Sequence, residues 1–418
     1  VPARLALTGI LLAAALAAQN FADLKPTPQQ ATWQDLEIGV LIHFGPNTFM
    51  DREWGDGTAD PSVFNPTHLD AAQWVAAARS AGARYVVLVA KHHDGFCLWP
   101  TAQTNYSVKA SPWRNGHGDL VREVAGATHK QGLKFGVYLS PWDRHEPRYK
   151  NNAEYDDYYR KELTELVTRY GEITEFWLDG AGSEGHVYDF DSYVKILRTY
   201  QPNTLIFADV GFLKYGDIRW VGNESGYAPE ENWNVIDRLG YLRWRPAEAD
   251  TPLRTDHWFW HPHDEKSLKS LPQLIEIYHK TVGRGAQLVL GLAPDNRGLL
   301  PESDVARLKE FGDEIRRLYP ADPAASEESW MSAAPLEIRK SQPMTFDRAV
   351  LMERLESGQH VERYAIEAWD GNKWNRLSEG ATIGHKKIDI FRKTTAARVR
   401  LRIIAANGVP QVRMFRVY

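Results

Sequence analysis

The sequence predicts an α/β chain, a (β/α)8, TIM-like barrel followed by a small C-terminal β-sandwich. Three observations carry this. Between about residues 38 and 318, β-rich runs alternate with helical patterns, as parallel strands joined by helical crossovers do. The β-rich runs number eight, the count that closes a barrel. After Pro320 the helical period stops and short alternating runs take over, the texture of a sandwich. An open doubly wound sheet competes, but no G-x-G-x-x-G follows the first run.

The chain begins with one charge, Arg4, then an apolar stretch from Leu5 to Ala18 ending in small residues. A secretory signal peptide is expected over residues 1–19; the stretch is short for a membrane span. Export to a bacterial periplasm or the medium is the corresponding expectation. The barrel is expected over 20–320. Its strands read Ile38–Phe44, Tyr85–Ala90, Phe135–Leu139, Glu175–Leu178, Thr204–Ala208, Ile218–Val221, Thr255–Phe259 and Gln287–Gly291. Helices are expected at Ala71–Ser80, Leu120–Lys130, Tyr155–Tyr170, Ser192–Tyr200, Pro272–Thr281 and Glu302–Leu318. Residues 321–330 read as a polar linker. The sandwich, 331–418, shows runs at Leu336–Ile338, Tyr364–Trp369, Lys387–Phe391, Ala397–Ile404 and Val412–Tyr418.

Composition excludes several functions. Lys+Arg 50 against Asp+Glu 54 leaves a net charge of -4, which gives no basis for nucleic-acid binding. The lone Cys97 excludes an internal disulfide, a Cys-based zinc finger and an Fe–S cluster. The aromatic count is high, with 15 Trp, 18 Tyr and 15 Phe beside 14 His. Such rings either fill a core or line a wet binding surface.

Active sites of such barrels form at the C-terminal strand ends. Here the ends read His43-Phe44-Gly45, Lys91-His92-His93-Asp94, Tyr138-Leu139-Ser140-Pro141-Trp142, Trp177-Leu178-Asp179-Gly180, Asp209, Asn223-Glu224 and Asp256-His257-Trp258. Polar and aromatic groups in phase on one rim suit a hydroxylated ligand, and no phosphate loop appears. Two carboxylates, Asp179 and Glu224, point to glycoside hydrolysis by a nucleophile and an acid/base. Metal catalysis at His92-His93 is the rival. Neighbours on a strand face opposite sides, so the two are not expected to share an ion, and no metal or cofactor is expected. Cys97 reads as a buried thiol.

His43-Phe44-Gly45, Glu53-Trp54, His92-His93-Asp94-Gly95-Phe96 and Phe176-Trp177-Leu178-Asp179-Gly180 together resemble the α-L-fucosidases of glycoside hydrolase family 29. The match runs in order from about residue 33 to 320. The resemblance implies a retaining, exo-acting enzyme with Asp179 as nucleophile. It implies Glu224, within Trp220–Gly226, as acid/base, with Glu184, Glu230 and Glu231 as alternatives. That segment resembles the branch cleaving α-1,3/1,4-linked fucose from Lewis-type oligosaccharides, whose members cleave simple aryl fucosides poorly. By the same resemblance His43, Glu53, Trp54, His92, His93, Tyr138 and Trp258 line the fucose pocket. The partners implied are fucosylated oligosaccharides or glycoconjugates, with no membrane after signal cleavage.

Fucose needs a pocket that pairs three ring hydroxyls and receives a bare methyl. The histidines and Glu53 suit the first task; Phe44, Trp54 and Trp258 suit the second. A retaining glycosidase for another sugar, such as galactose, and a dead glycan-binding barrel are the competing readings. The tail resembles discoidin-like sandwiches, in which Trp369 and Trp374 are either sugar platforms or packing.

Overall fold

The computed structural model describes residues 21–183, 185–208, 214–238, 241–321, 325–331 and 335–418. The expected signal peptide, Glu184 and Asp209 lie outside the described residues. Eight parallel strands form the barrel. They are β1 (Ile38–Ile42), β2 (Tyr85–Lys91), β3 (Lys134–Leu139), β4 (Glu175–Leu178), β5 (Leu205–Ala208), β6 (Arg219–Trp220), β7 (Ala247–Pro252) and β8 (Gln287–Leu292). The order around the sheet is β5-β4-β3-β2-β1-β8-β7-β6. A bridge from Phe207 of β5 to Ile218 nearly closes it.

Eight helices accompany the barrel strands: α1 (Pro28–Gln34), α2 (Pro46–Met50), α3 (Ala71–Ser80), α4 (Leu120–Lys130), α5 (Asn152–Arg169), α6 (Phe190–Tyr200), α7 (Leu271–Thr281) and α8 (Glu302–Leu318). Their starts are chemically marked. Asp70 accepts from the N–H groups of Ala72 and Gln73, Asp119 caps α4, and Ser270 with Gln273 forms a capping box on α7. Apolar faces of α3, α4, α5, α7 and α8 pack with the outward residues of the strands into the main core. The connection between β6 and β7 carries an antiparallel pair, Val235–Arg238 with Tyr241–Trp244.

The seventh strand differs from expectation. It is Ala247–Pro252, while Thr255–Phe259 forms the turns that follow it. The segment AEADTP puts Glu248 and Asp250 inside the barrel in place of apolar residues, so hydropathy passes over it. Register fixes the placement: Asp250 pairs with Val289 and Glu248 with Gln287 on β8.

Those acids make the barrel floor polar. Glu175 and Glu248 are both fully buried. Glu175 accepts indole N–H bonds from Trp33 at 2.8 Å and Trp177 at 2.5 Å, and Tyr85 Oη donates to Glu248 at 3.0 Å. Burial and the adjacent Glu175 push Glu248 well above the ordinary carboxylate range.

After the barrel, six antiparallel strands form one sheet in the order β9-β14-β10-β13-β11-β12. They are β9 (Ala325–Met331), β10 (Leu336–Glu353), β11 (Val361–Trp369), β12 (Trp374–Gly380), β13 (Lys387–Ala406) and β14 (Gln411–Val417). The expected linker therefore contains β9. It is an edge strand, paired antiparallel with β14. Two expected runs, Lys387–Phe391 and Ala397–Ile404, are one long strand, β13, and register shifts interrupt its pairing with β10. One apolar core, including Phe346, Ile366, Leu401 and Phe415, fills the module. Trp369 and Trp374 meet edge to face at 5.4 Å, with Arg398 over both rings and Arg400 over Trp374. The module docks on the barrel through Gln359, which accepts from Asn234 N at 2.9 Å, and through Ile388 N to Gly283 O at 2.9 Å.

Tyr85→Phe removes the donor to buried Glu248 without opening a large cavity. It should lower stability by about 1–3 kcal/mol, read as a lower denaturant midpoint. An unchanged midpoint would contradict the polar-floor account.

Candidate active site

The C-terminal strand ends surround a cavity of about 250 Å³. His43, Trp54, His92, His93, Tyr138, Asp179, Glu224 and Trp258 line it together with Trp177, Phe207, Trp220 and Asp250. All but one of the expected site residues therefore converge. The exception, Glu53, stands behind the wall. Its oxygens accept the backbone N–H of Trp258 at 2.8 Å and of Phe259 at 3.1 Å, and His261 Nε2 lies 2.6 Å away. Glu53 thereby ties the segment after β7 to the segment after β1. Gly291 on β8 leaves room for the ring so held: a Cβ there would meet Trp258 at 2.6 Å.

β4 ends at Leu178, so Asp179 is the first residue free to turn over the cavity. Tyr138 Oη donates to its Oδ2 at 2.8 Å and Ala181 N to its Oδ1 at 2.9 Å. Its side chain keeps 21% exposure, open to a ligand yet held at both oxygens. His93 Nε2 lies 3.6 Å from Oδ2. On the other side His93 Nδ1 is 2.7 Å from Ser140 Oγ, which donates its own proton to Trp142 O at 2.7 Å. With that proton committed, Ser140 accepts, so His93 carries hydrogen on Nδ1 and its Nε2 lone pair faces the cavity.

Both His92 and His93 line the cavity, with ring centroids 4.2 Å apart. The alternation expected of strand neighbours does not apply, because β2 ends at Lys91 and the two lie in the turn beyond it. Burial pushes His43 down to about 3 and His92 well below the ordinary imidazole range; burial lowers His93 too. The three rings are neutral at neutral pH, as hydroxyl partners rather than cations.

Glu224 reaches the cavity from the exposed loop after β6, and Trp258 Nε1 donates to its Oε2 at 3.3 Å. Partial burial raises its pKa above the ordinary range. The indole opposes this, and the charges of Asp179, Glu53 and Asp256 add to it. Glu230 and Glu231 do not line the cavity; Glu231 accepts from Trp233 Nε1 instead.

Aromatic placement departs from expectation in places. Phe44 packs with Phe49, Phe64 and Trp74 outside the barrel, while His43 lines the cavity. Trp99 is buried and donates to Glu165 at 2.7 Å. Trp54 is half-exposed at the mouth, edge-on to His93 and Trp142. Cys97 is buried as expected, with its thiol 3.3 Å from Glu162. Sequence reasoning missed Ser140, Trp220 and Asp250 as functional. Ser140 and Trp220 sit in segments already singled out, whereas Asp250 was hidden by the misplaced seventh strand.

The family model for Alpha-L-fucosidase matches residues 10–317. The chain belongs to that family, glycoside hydrolase family 29. It is 36% identical to Alpha-L-fucosidase 1 of Arabidopsis thaliana, over 94% of this chain and 87% of the relative. A putative α-L-fucosidase from Bacteroides ovatus superposes with a TM-score of 0.88 at 39% identity, covering 95% of this chain and 74% of that one. A Ruminococcus gnavus GH29 fucosidase, solved in complex with fucose, superposes with a TM-score of 0.86 at 28% identity, covering 95% of each chain. The enzyme is thus an α-L-fucosidase glycoside hydrolase whose cavity lies at the barrel's C-terminal face.

Ser140→Ala frees His93 to adopt either tautomer. It should raise KM for a cleaved fucoside about 3–10-fold, the worth of one hydrogen bond, with a smaller effect on kcat. An unchanged KM would contradict the tautomer assignment.

Proposed function

We propose that the enzyme releases α-1,3/1,4-linked L-fucose from branched, Lewis-type oligosaccharides by an exo-acting, retaining mechanism, with Asp179 as nucleophile and Glu224 as acid/base. One observation carries the assignment of roles. Two carboxyl groups line one cavity in opposite environments, Asp179 held by neutral donors and Glu224 with its pKa raised. Environments that set two acids apart are those of a base or nucleophile facing a general acid.

Asp179 attacks the anomeric carbon as Glu224 gives its proton to the departing glycosidic oxygen, leaving a fucosyl ester on Asp179. Glu224, now a carboxylate, takes a proton from water, and the hydroxide attacks the same carbon and releases Asp179. Two inversions give net retention. Tyr138 and Ala181 N–H hold Asp179 for the first step. The neutral histidines serve the ring hydroxyls. Trp258 both steadies Glu224 and offers an apolar surface.

The linkage reading rests on the Trp220–Gly226 segment and is supported by the open rim. Glu224 is exposed on one side and Trp54 at the mouth is 50% exposed, which leaves space for a leaving group larger than a single ring. Export, proposed from the apolar stretch Leu5–Ala18, suits an enzyme that works on glycans outside the cell.

With a Lewis trisaccharide, Asp179→Ala should lower kcat at least 1,000-fold (about 4 kcal/mol) while fucose still binds. Glu224→Ala should be rescued by azide with net retention. Near wild-type turnover in Asp179→Ala would contradict the nucleophile, and rescue at Glu230 or Glu231 in place of 224 would move the acid/base. Because Glu224 must be protonated to act, kcat/KM should fall as pH rises through its raised pKa, and this limb should vanish in Glu224→Ala.

A further inference from the structure

Asp250 has no place in the mechanism above, yet it is 5% exposed and lines the same cavity as Asp179 and Glu224. It sits on β7 at the interior position above Glu248, so it approaches from the barrel interior rather than the rim. Its Oδ1 accepts the indole N–H of Trp220 at 2.6 Å. Its second oxygen has no partner among the described residues.

A carboxyl group enclosed to this degree is costly unless its remaining valence is met. The hydroxyl partners in the cavity, His43, His92 and His93, stand on the β1 and β2 side, while Asp250 faces them from β7. A pyranose in 250 Å³ therefore meets neutral imidazoles on one edge and this carboxyl on another. We propose that Asp250 is a specificity-determining residue of the fucose site, fixing Trp220 through one oxygen and hydrogen-bonding a ring hydroxyl of the bound fucose through the other. Burial pushes Asp250 up to about 7, with the Glu224 and Asp179 charges adding to the rise and the Trp220 indole opposing it. Near neutral pH the group thus serves a hydroxyl as acceptor or as donor. The inference rests on the reading of this cavity as the fucose site.

Titration calorimetry of L-fucose and its 2-, 3- and 4-deoxy analogues tests it, using wild type, Asp250→Ala, Trp220→Phe and the double variant. Asp250→Ala should weaken L-fucose binding about tenfold or more, as loss of a hydrogen bond to an ionisable group does. Most of that loss should persist when Trp220 is already Phe. One deoxy sugar, lacking the partner hydroxyl, should bind Asp250→Ala and wild type alike. Should Asp250→Ala not fold, Asp250→Leu replaces it with a side chain of closer size and is read the same way. An equal loss across all four sugars, no loss, or a loss abolished by Trp220→Phe would overturn the proposal. Binding of free sugar needs no turnover. Failure of the nucleophile and acid/base assignment would instead appear as activity in Asp179→Ala and would leave this comparison intact.

Discussion

Carboxyl groups withdrawn from water must be met by hydrogen-bond donors, and inside this barrel the donors are indole N–H and phenol O–H groups. Trp33 and Trp177 serve Glu175, Tyr85 serves Glu248, Tyr138 serves Asp179, Trp220 serves Asp250 and Trp258 serves Glu224. A neutral donor satisfies a carboxyl oxygen without cancelling its charge, whereas a paired lysine or arginine would do both. Among the described residues no Lys or Arg lines the cavity. A buried cation, Lys91, pairs with Asp143 and Glu162 and is ringed by Tyr155, Tyr158 and Tyr159.

This arrangement fits the chemistry of a fucosidase. Positive charge builds on the sugar ring as the glycosidic bond breaks, and a cavity with uncancelled carboxylates and neutral imidazoles favours that charge. The scaffold keeps the groups in place before substrate arrives. The tautomer of His93 is fixed through Ser140, Asp179 is held at both oxygens, and the Trp258 segment is tied down by Glu53. The aromatic richness of the chain thus has a second purpose beside packing and sugar contact: the same rings hold the acids.

Much of this was legible in the sequence, and the failures share a cause. Strands β1 to β5 and β8 could be read because their outward residues are apolar. Strand β7 could not, because its inward positions hold Glu248 and Asp250, and the misreading concealed Asp250. Convergence of His43, His92, His93, Tyr138 and Asp179 followed from strand ends. Glu53 shows the limit of that logic: its position near the site was legible, but its engagement with the backbone of Trp258 and Phe259 depends on a loop 205 residues away in sequence. Phe44 likewise lay near a strand end but points away from the cavity.

The central claim is that one cavity sets two carboxyl groups apart, Asp179 held at both oxygens by neutral donors and Glu224 raised above the ordinary carboxylate range by partial burial against the pull of the Trp258 indole. Infrared difference spectroscopy of the protonated-carboxyl stretch in the resting enzyme, at a pH just above the ordinary carboxylate range, tests this most directly. The account predicts that Glu224→Gln removes one protonated-carboxyl signal and that Asp179→Asn removes none. Loss of a signal in Asp179→Asn, with the spectrum of Glu224→Gln unchanged from wild type, would contradict it.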